Sequence, residues 1–452
     1  MDEFVAKKVY VETYGCQMNI SDGELMEGIL VEKGYEVSTS AEEADVIIVN
    51  TCAIREHAEE RVLGRVGQLY GIKKERPEVI IGVTGCMAQR LGDNLLQRAP
   101  YVDLVMGPDG YRSLPEQLER IHIGAKSMPS RSSKKRGPQL AVLDLDVGEN
   151  YEGLVQRRTS PVSAWVPIQR GCDHKCTFCI VPYVRGPEKN RKSSDILNEV
   201  REIAEAGRTE VTLLGQTVNS YESDGVCFHE LLRSVARIDG IRRVRFTSPH
   251  PNDVTPELLR VMAEEPAICE QLHLPLQSGN DKVLRRMLRR YTVDTFLEKV
   301  TLARDLIPDL SLSTDIIVAF PGESEDQFED TLDLLRQVRF DDAYTYKYSL
   351  RDGTPATRFP DSDFLSNEEA QIRLTKLIEV HRSIQNDINK GEVGRIEEVL
   401  VEKKGRETSQ VLGRTRRNKV VAFNASSEII GTYHQVLLTG TTGATFMGEL
   451  AN

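Results

Sequence analysis

The stretch QRGCDHKCTFCIVPYVRGPE, residues 169–188, places Cys172, Cys176 and Cys179 within eight residues and supplies no fourth cysteine. Thiolates bind zinc and iron–sulfur clusters. Structural zinc takes four protein ligands, normally as two separated pairs, so this C-x3-C-x2-C loop closes a zinc site only if His174 serves as the fourth. Three thiolates on a cubane cluster instead leave one iron open, and an open iron can bind a substrate or cofactor.

Three more cysteines repeat this incompleteness. Cys16, Cys52 and Cys86 follow the short apolar runs KKVYVETYG, DVIIVNT and VIIGVTG. These runs alternate with the amphipathic segments 21–34 and REHAEERVLGRVGQLYG, and VDLVMGP reads as a fourth strand. Strands alternating with helices predict a parallel α/β sheet, whose carboxyl edge is where ligands bind. Three βα turns then aim three thiols at one place. The alternative, buried thiols acting as small hydrophobes, holds more readily for one cysteine than for three at equivalent turns. Cys227 and Cys269 fall in neither triplet and read as ordinary thiols.

The alternation fades between 121 and 161, where KSMPSRSSKKRG precedes the acidic LDLDVGEN, a composition that reads as a linker. It returns as VPIQRGC, EVTLLGQT, VRFTSPHP, QLHLPLQSG, LSLSTDIIVAFPG and AYTYKYSLR. Six strands with intervening helices predict a barrel or part-barrel of βα units. In the first helix Ile196, Leu197, Val200, Ile203 and Ala204 share a face, with Ser193 or Ser194 as N-cap and Gly207 as the stop. The last sixty or so residues give five short strands without helices, a small antiparallel barrel.

The 452 residues are 40% hydrophobic and carry a net charge of -11, which excludes a uniformly basic nucleic-acid binder. From Lys390 onward, however, nine Lys and Arg outnumber seven Glu. Arg414, Arg416, Arg417 and Lys419 form a compact basic run suited to phosphate contacts. No apolar run approaches the ~20 residues of a membrane span. The absence of a leader-like start, together with the cysteine usage, makes a cytoplasmic protein without a disulfide framework the expectation.

CDHKCTFC, with the aromatic Phe178 before its third cysteine, resembles the radical S-adenosylmethionine signature. ETYGCQMN, VNTCAIREHAEERVLGR, GVTGCMAQ, LLGQTVNSY, HLPLQSGN and TDIIVAFPGES extend the resemblance, over nearly the whole chain, to the methylthiotransferase family. The tail containing GRTRRNKVVAF resembles its TRAM domain, and YGCQMN and NTCAIRE are most similar to the MiaB type. The resemblance implies an α/β multidomain chain. An N-terminal Rossmann-like domain over 1–122 would hold an auxiliary 4Fe–4S cluster on Cys16, Cys52 and Cys86. A linker (123–160), a partial (β/α)6 barrel (161–387) with a second 4Fe–4S cluster on Cys172, Cys176 and Cys179, and an OB-like TRAM barrel (388–452) would follow.

The implied reaction is methylthiolation of adenine C2 in isopentenylated adenosine-37 of tRNA, beside the anticodon, with two S-adenosylmethionine molecules and no side-chain acid or base. Phe178, Gly215, Gln216, Gln277, Ser278 and Asp315 are the candidate S-adenosylmethionine contacts. Arg414, Arg416, Arg417, Lys419, Tyr183 and Arg185 are the candidate RNA contacts, the last two to stack on or orient an extruded base. An electron donor, a sulfur source and a monomeric state complete the expectation. Ala319 departs from the family's glycine with little change in size, Val184 from its threonine, and EKNRKS from ERSR. The rival readings are a sister methylthiotransferase acting on threonylcarbamoyl-adenosine tRNA or a ribosomal-protein aspartate, a non-catalytic iron–sulfur RNA sensor, and a zinc-dependent RNA-binding module.

Overall fold

The computed structural model describes residues 6–53, 56–126 and 139–451. They sort into two compact units, one comprising 1–159, 169–174 and 179–191, the other 160–168, 175–178 and 192–452.

In the first unit six parallel strands, β1 (Lys8–Tyr14), β2 (Glu36–Val37), β3 (Val46–Thr51), β4 (Ile80–Gly85), β5 (Leu104–Met106) and β6 (Leu140–Val142), lie in the order 2-1-3-4-5-6. The run VIIV of β3 is buried on both faces because helices cover each side. Ile47 and Val49 pack with Val62, Val66 and Leu69 of the helix Glu56–Glu75, whereas Ile48 packs with Leu25, Met26 and Ile29 of the helix Gln17–Glu32. The strand order reverses between β1 and β3, the switch point at which open α/β sheets gather ligands.

Two expectations change here. The first helix begins at Gln17 rather than Ser21, because Cys16 supplies the N-cap and Ser21 lies inside the helix. The segment 123–160 is not a free linker. The helix Leu114–Lys126 runs past 122, β6 pairs with β5, and Tyr151 is buried in the core. The run 127–138 lies outside the described residues.

Residues 155–159 lie along the first helix and answer its buried polar side chains. Gln156 accepts from Ser21, Arg157 pairs with Glu27 at 2.9 Å, and the Thr159 N–H and hydroxyl reach Glu24 at 2.8 and 2.6 Å. Gly28 permits this approach, since a Cβ there would stand 2.0 Å from the Val155 carbonyl oxygen.

In the second unit Ser163–Pro167, Glu210–Leu214 and Arg243–Phe246 form one parallel sheet, and Gln271–His273, Ser311–Val318 and Asp342–Lys347 another. A bridge from Val244 to Ile268 joins them into a six-stranded partial barrel in chain order. Leu312, Ile316 and Val318 pack toward the helices, so Ser313, Asp315 and Ile317 stand on the opposite face. The helix Ser193–Glu205 starts with Lys192 as N-cap, not a serine, and buries Ile196, Val200 and Ile203 as its periodicity predicts. Ala319 is more than a size-neutral replacement. Its φ of 56° lies in the left-handed region that favours glycine, and the Glu323 carboxylate holds its N–H at 2.6 Å.

The helix Asn367–Glu392 crosses the expected boundary at 387 and leads into a closed barrel of five strands, Ile396–Lys404, Gln410–Thr415, Val420–Asn424, Tyr433–Thr441 and Thr445–Leu450.

An alanine in place of an exposed helical glycine stabilises by about 1 kcal/mol. At Gly28 the sign reverses: Gly28→Ala is expected to cost about 1–3 kcal/mol by displacing the segment at Val155, measured by urea unfolding of the two proteins side by side.

Candidate metal centre and nucleic-acid interface

Tyr14, Thr51 and Gly85 stand level across the carboxyl edge of β1, β3 and β4, and each is followed within two residues by a cysteine. Cys16 caps the helix Gln17–Glu32 and Cys86 opens the helix Cys86–Leu91. A Cβ on Gly15 would fall 2.8 Å from Cβ of Cys52, so a glycine before Cys16 is what lets the two turns meet. Cys16 and Cys52 share a hydrogen bond, and Cys16 and Cys86 act on one another electrostatically.

The electrostatics of the trio differ from one thiol to the next. A hydrogen bond from Cys52 lowers Cys16 to about 6, burial opposing it, with the Arg185 charge and the N–H groups of Asn19 and Met18 adding to the fall. Burial pushes the Cys86 thiol up, with Arg185 opposing. The Nε–H of Arg185 donates to Cys86 Sγ at 3.1 Å, and its Nη2 to Asp22 at 2.7 Å. Arg170 donates to the other Asp22 oxygen at 2.8 Å. Burial works to discharge Arg185, but Asp22 and Cys86 outweigh it and hold its pKa well above the usual guanidinium value. Arg185, expected to orient RNA, is buried beside a cysteine instead. Tyr183 is 51% exposed and remains open to a base.

Of the second triplet, Cys172 and Cys179 stand on the arms 169–174 and 179–191 counted with the first unit, and Cys176 in the four residues counted with the second. The N–H of Cys172 donates to Gly186 O at 3.1 Å. Cys176 is buried and accepts from Arg289 Nη1 at 3.4 Å. Tyr291 and Pro275 O hold the rest of that guanidinium. Phe178 packs edge-on against Phe320 at 6.4 Å. Neither Arg289 nor Asp22 stood out in the sequence. Arg289 is one of four arginines between 285 and 290, and Asp22 looks like an ordinary polar helix residue; only burial distinguishes them.

Gly215 and Gln216 follow the strand Glu210–Leu214, and Gln216 Oε1 is buried with no hydrogen-bond partner, as a ligand-facing group would be. Gln277 takes a φ of 71° and bonds through its backbone to Asp315 and Ile317. Asp315 lies 3.4 Å from His273 Nε2. Ser278 is the weakest of the set, since its buried hydroxyl serves Thr331 and the Asn280 N–H, locking the loop.

Most of the basic run of the small barrel is not a solvated phosphate-binding face, Arg414 keeping the most exposed side chain of the four. Arg416 forks onto Glu270 at 2.7 and 2.8 Å, Arg417 pairs with Glu392 and Glu397, and Lys419 reaches Asp341 at 2.9 Å. Arg414 bonds Asn418. From the barrel side, Arg243 and Arg245 donate to the carbonyls of Arg414, Thr415 and Arg416. Arg416 and Lys419, with Arg243 and Arg245, fasten the small barrel to the amino ends of the large barrel's strands, whereas Arg417 ties it to the connecting helix through Glu392 and to its own first strand through Glu397. The exposed cations of the small barrel are instead Lys403, Lys404 and Arg406, at the first turn.

Residues 8–107 match the family described as "Uncharacterized protein family UPF0004", residues 166–335 the radical SAM superfamily, and residues 390–450 the TRAM domain. The chain is 44% identical over 439 residues to the tRNA-2-methylthio-N(6)-dimethylallyladenosine synthase of Carboxydothermus hydrogenoformans, covering 96% of this chain and 97% of that one. It is 41% identical to the synthase of the same name from Chloroherpeton thalassium, covering 98% and 96%. The chain belongs to this synthase family. Among solved structures, the radical S-adenosylmethionine methyltransferase TsrM of Kitasatospora setae shares the fold, with a TM-score of 0.57 at 13% identity over 88% of this chain and 78% of that one. A cobalamin-dependent S-adenosylmethionine radical enzyme, OxsB, matches with a TM-score of 0.54 at 14% identity over 84% and 58%. Membership makes the chain a radical S-adenosylmethionine enzyme, which implies a 4Fe–4S cluster and that cofactor. No helix among the described residues is long and apolar enough to cross a membrane.

Removing one partner of a buried ion pair costs about 3–5 kcal/mol. Arg417→Ala is therefore expected to lower unfolding stability by that order, whereas Arg406→Ala leaves it within about 0.5 kcal/mol; thermal unfolding followed by circular dichroism checks both.

Proposed function

We propose that this enzyme methylthiolates C2 of N6-dimethylallyladenosine at position 37 of tRNA, using two 4Fe–4S clusters and two molecules of S-adenosylmethionine. The observation that carries this reading is the meeting of Cys16, Cys52 and Cys86 at the switch point of one sheet, in a chain that holds a second three-cysteine loop. When bound, the two clusters and S-adenosylmethionine supply radical removal of hydrogen from an unactivated carbon and delivery of sulfur and a methyl group.

The protein's own task is positioning. Cys172, Cys176 and Cys179 would hold the cluster that binds S-adenosylmethionine, with Arg289 supporting Cys176. Phe178, Gly215, Gln216, Gln277 and Asp315 are the groups offered to the cofactor. Cys16, Cys52 and Cys86 would hold the auxiliary cluster. Tyr183 is offered to the extruded base, and Lys403, Lys404 and Arg406 to phosphates of the anticodon arm. An electron donor and a sulfur source must come from outside this chain. A cytoplasmic monomer is the working state of this reading.

In cells lacking the protein, mass spectrometry of tRNA nucleosides should show the methylthio form of dimethylallyladenosine vanish and the unmodified dimethylallyl form accumulate. Persistence of the methylthio form would overturn the substrate, and loss from threonylcarbamoyladenosine instead would favour the sister enzyme.

A further inference from the structure

The three thiols at the switch point sit beside a buried electrostatic group that cluster ligation alone does not require. Asp22 is fully buried, and each of its oxygens takes a different guanidinium, Arg170 on one and Arg185 on the other. Beside them Lys189 neutralises Asp109 at 2.7 Å. Among the described residues, the carboxylates of this group answer two of its three cations, and the remaining charge, on Arg185, faces the thiols of Cys16 and Cys86. A buried cation not fully neutralised favours negative charge beside it, so the arrangement favours an anion at this point.

Arg185 shows where that anion belongs. Its Nε–H points at Cys86 Sγ at 3.1 Å and its Nη2 at Asp22, while Nη1, equally buried, has no hydrogen-bond partner. A guanidinium presents its donors in a rigid planar fork, so fixing Nε and Nη2 also fixes the direction of Nη1. Tyr111 Oη, fully buried and within electrostatic reach of Arg185, Asp22 and Cys86, is likewise without a partner.

We propose that Arg185, clamped by Asp22, is a positioning residue that donates to the Cys86 thiolate and, through Nη1, to inorganic sulfur carried at the N-terminal trio, and that it thereby raises the reduction potential of that centre. The proposal rests on the reading that Cys16, Cys52 and Cys86 hold a cluster. Hydrogen bonds and positive charge at cluster sulfurs favour the reduced, more negative state. A lysine would keep the charge but lack the fork.

The test uses full-length protein with Cys172, Cys176 and Cys179 replaced by alanine, reconstituted anaerobically with iron and sulfide, so that the N-terminal centre is observed alone. Its midpoint potential is read by redox titration followed by electron paramagnetic resonance, with Arg185 intact, as Arg185→Gln and as Arg185→Lys. Iron release to a chelator is followed in parallel. Arg185→Gln should shift the potential to more negative values and weaken retention of iron against the chelator on the order of 10–100-fold, the usual loss of metal affinity when a group that orients metal ligands is removed. Arg185→Lys should fall between it and the parent. If the glutamine variant does not fold, the lysine variant carries the test through its potential. An unchanged potential in a variant that retains its iron overturns the proposal and leaves the two-cluster reading standing. A parent that takes up no iron overturns the two-cluster reading itself.

Discussion

Buried thiols can ionise only beside positive charge, and the first unit places the buried guanidinium of Arg185 against Cys86 Sγ. Arg185 can sit there only because Asp22 holds it, and Asp22 can be buried only because Arg170 takes its second oxygen. That requirement turns the polar side of the helix Gln17–Glu32 inward, where Ser21, Glu24 and Glu27 need partners as well. Residues 155–159 provide them. The same requirement accounts for the arms 169–174 and 179–191 belonging to this unit, since they carry Arg170, Arg185 and Lys189.

In the second unit the strands carry different loads at their two ends. At the amino ends, Arg243, Arg245, Glu270 and Asp341 bind the small barrel through its carbonyls and its own cations. At the carboxyl ends lie Gly215, Gln216, Gln277 and the half-buried Asp315, where ligand sites of such barrels form. Anchoring at one end leaves the other available for chemistry.

The strands and the cysteines were legible in the sequence because both depend on local pattern. Apolar runs of four to six residues bounded by turns announce parallel strands, and thiols just beyond them mark the carboxyl edge. What could not be read locally was pairing across long separations. Ser21 looked like a helix start because serine favours that position, yet it is interior and its partner, Gln156, lies far along the chain. Arg416 and Arg417 looked like a solvated patch because four cations of one sign cluster there. The acids that bury them, Glu270, Glu392 and Glu397, are spread over three other segments. Size was a poor guide at Ala319, where backbone conformation decides what fits.

The two buried charge systems differ in what could replace them. A buried ion pair is often no more stabilising than a well-packed apolar pair of the same volume. The Arg417 contacts with Glu392 and Glu397 could in principle be exchanged as a unit for hydrophobic side chains and still fasten the small barrel. The Asp22 system could not. Removing both arginines and the carboxylate would satisfy the helix but leave the sulfurs of Cys16 and Cys86 with no positive charge from Arg185 beside them in a buried site. The charge at Asp22 therefore belongs to the requirements of the thiols, and the fold around it follows from them.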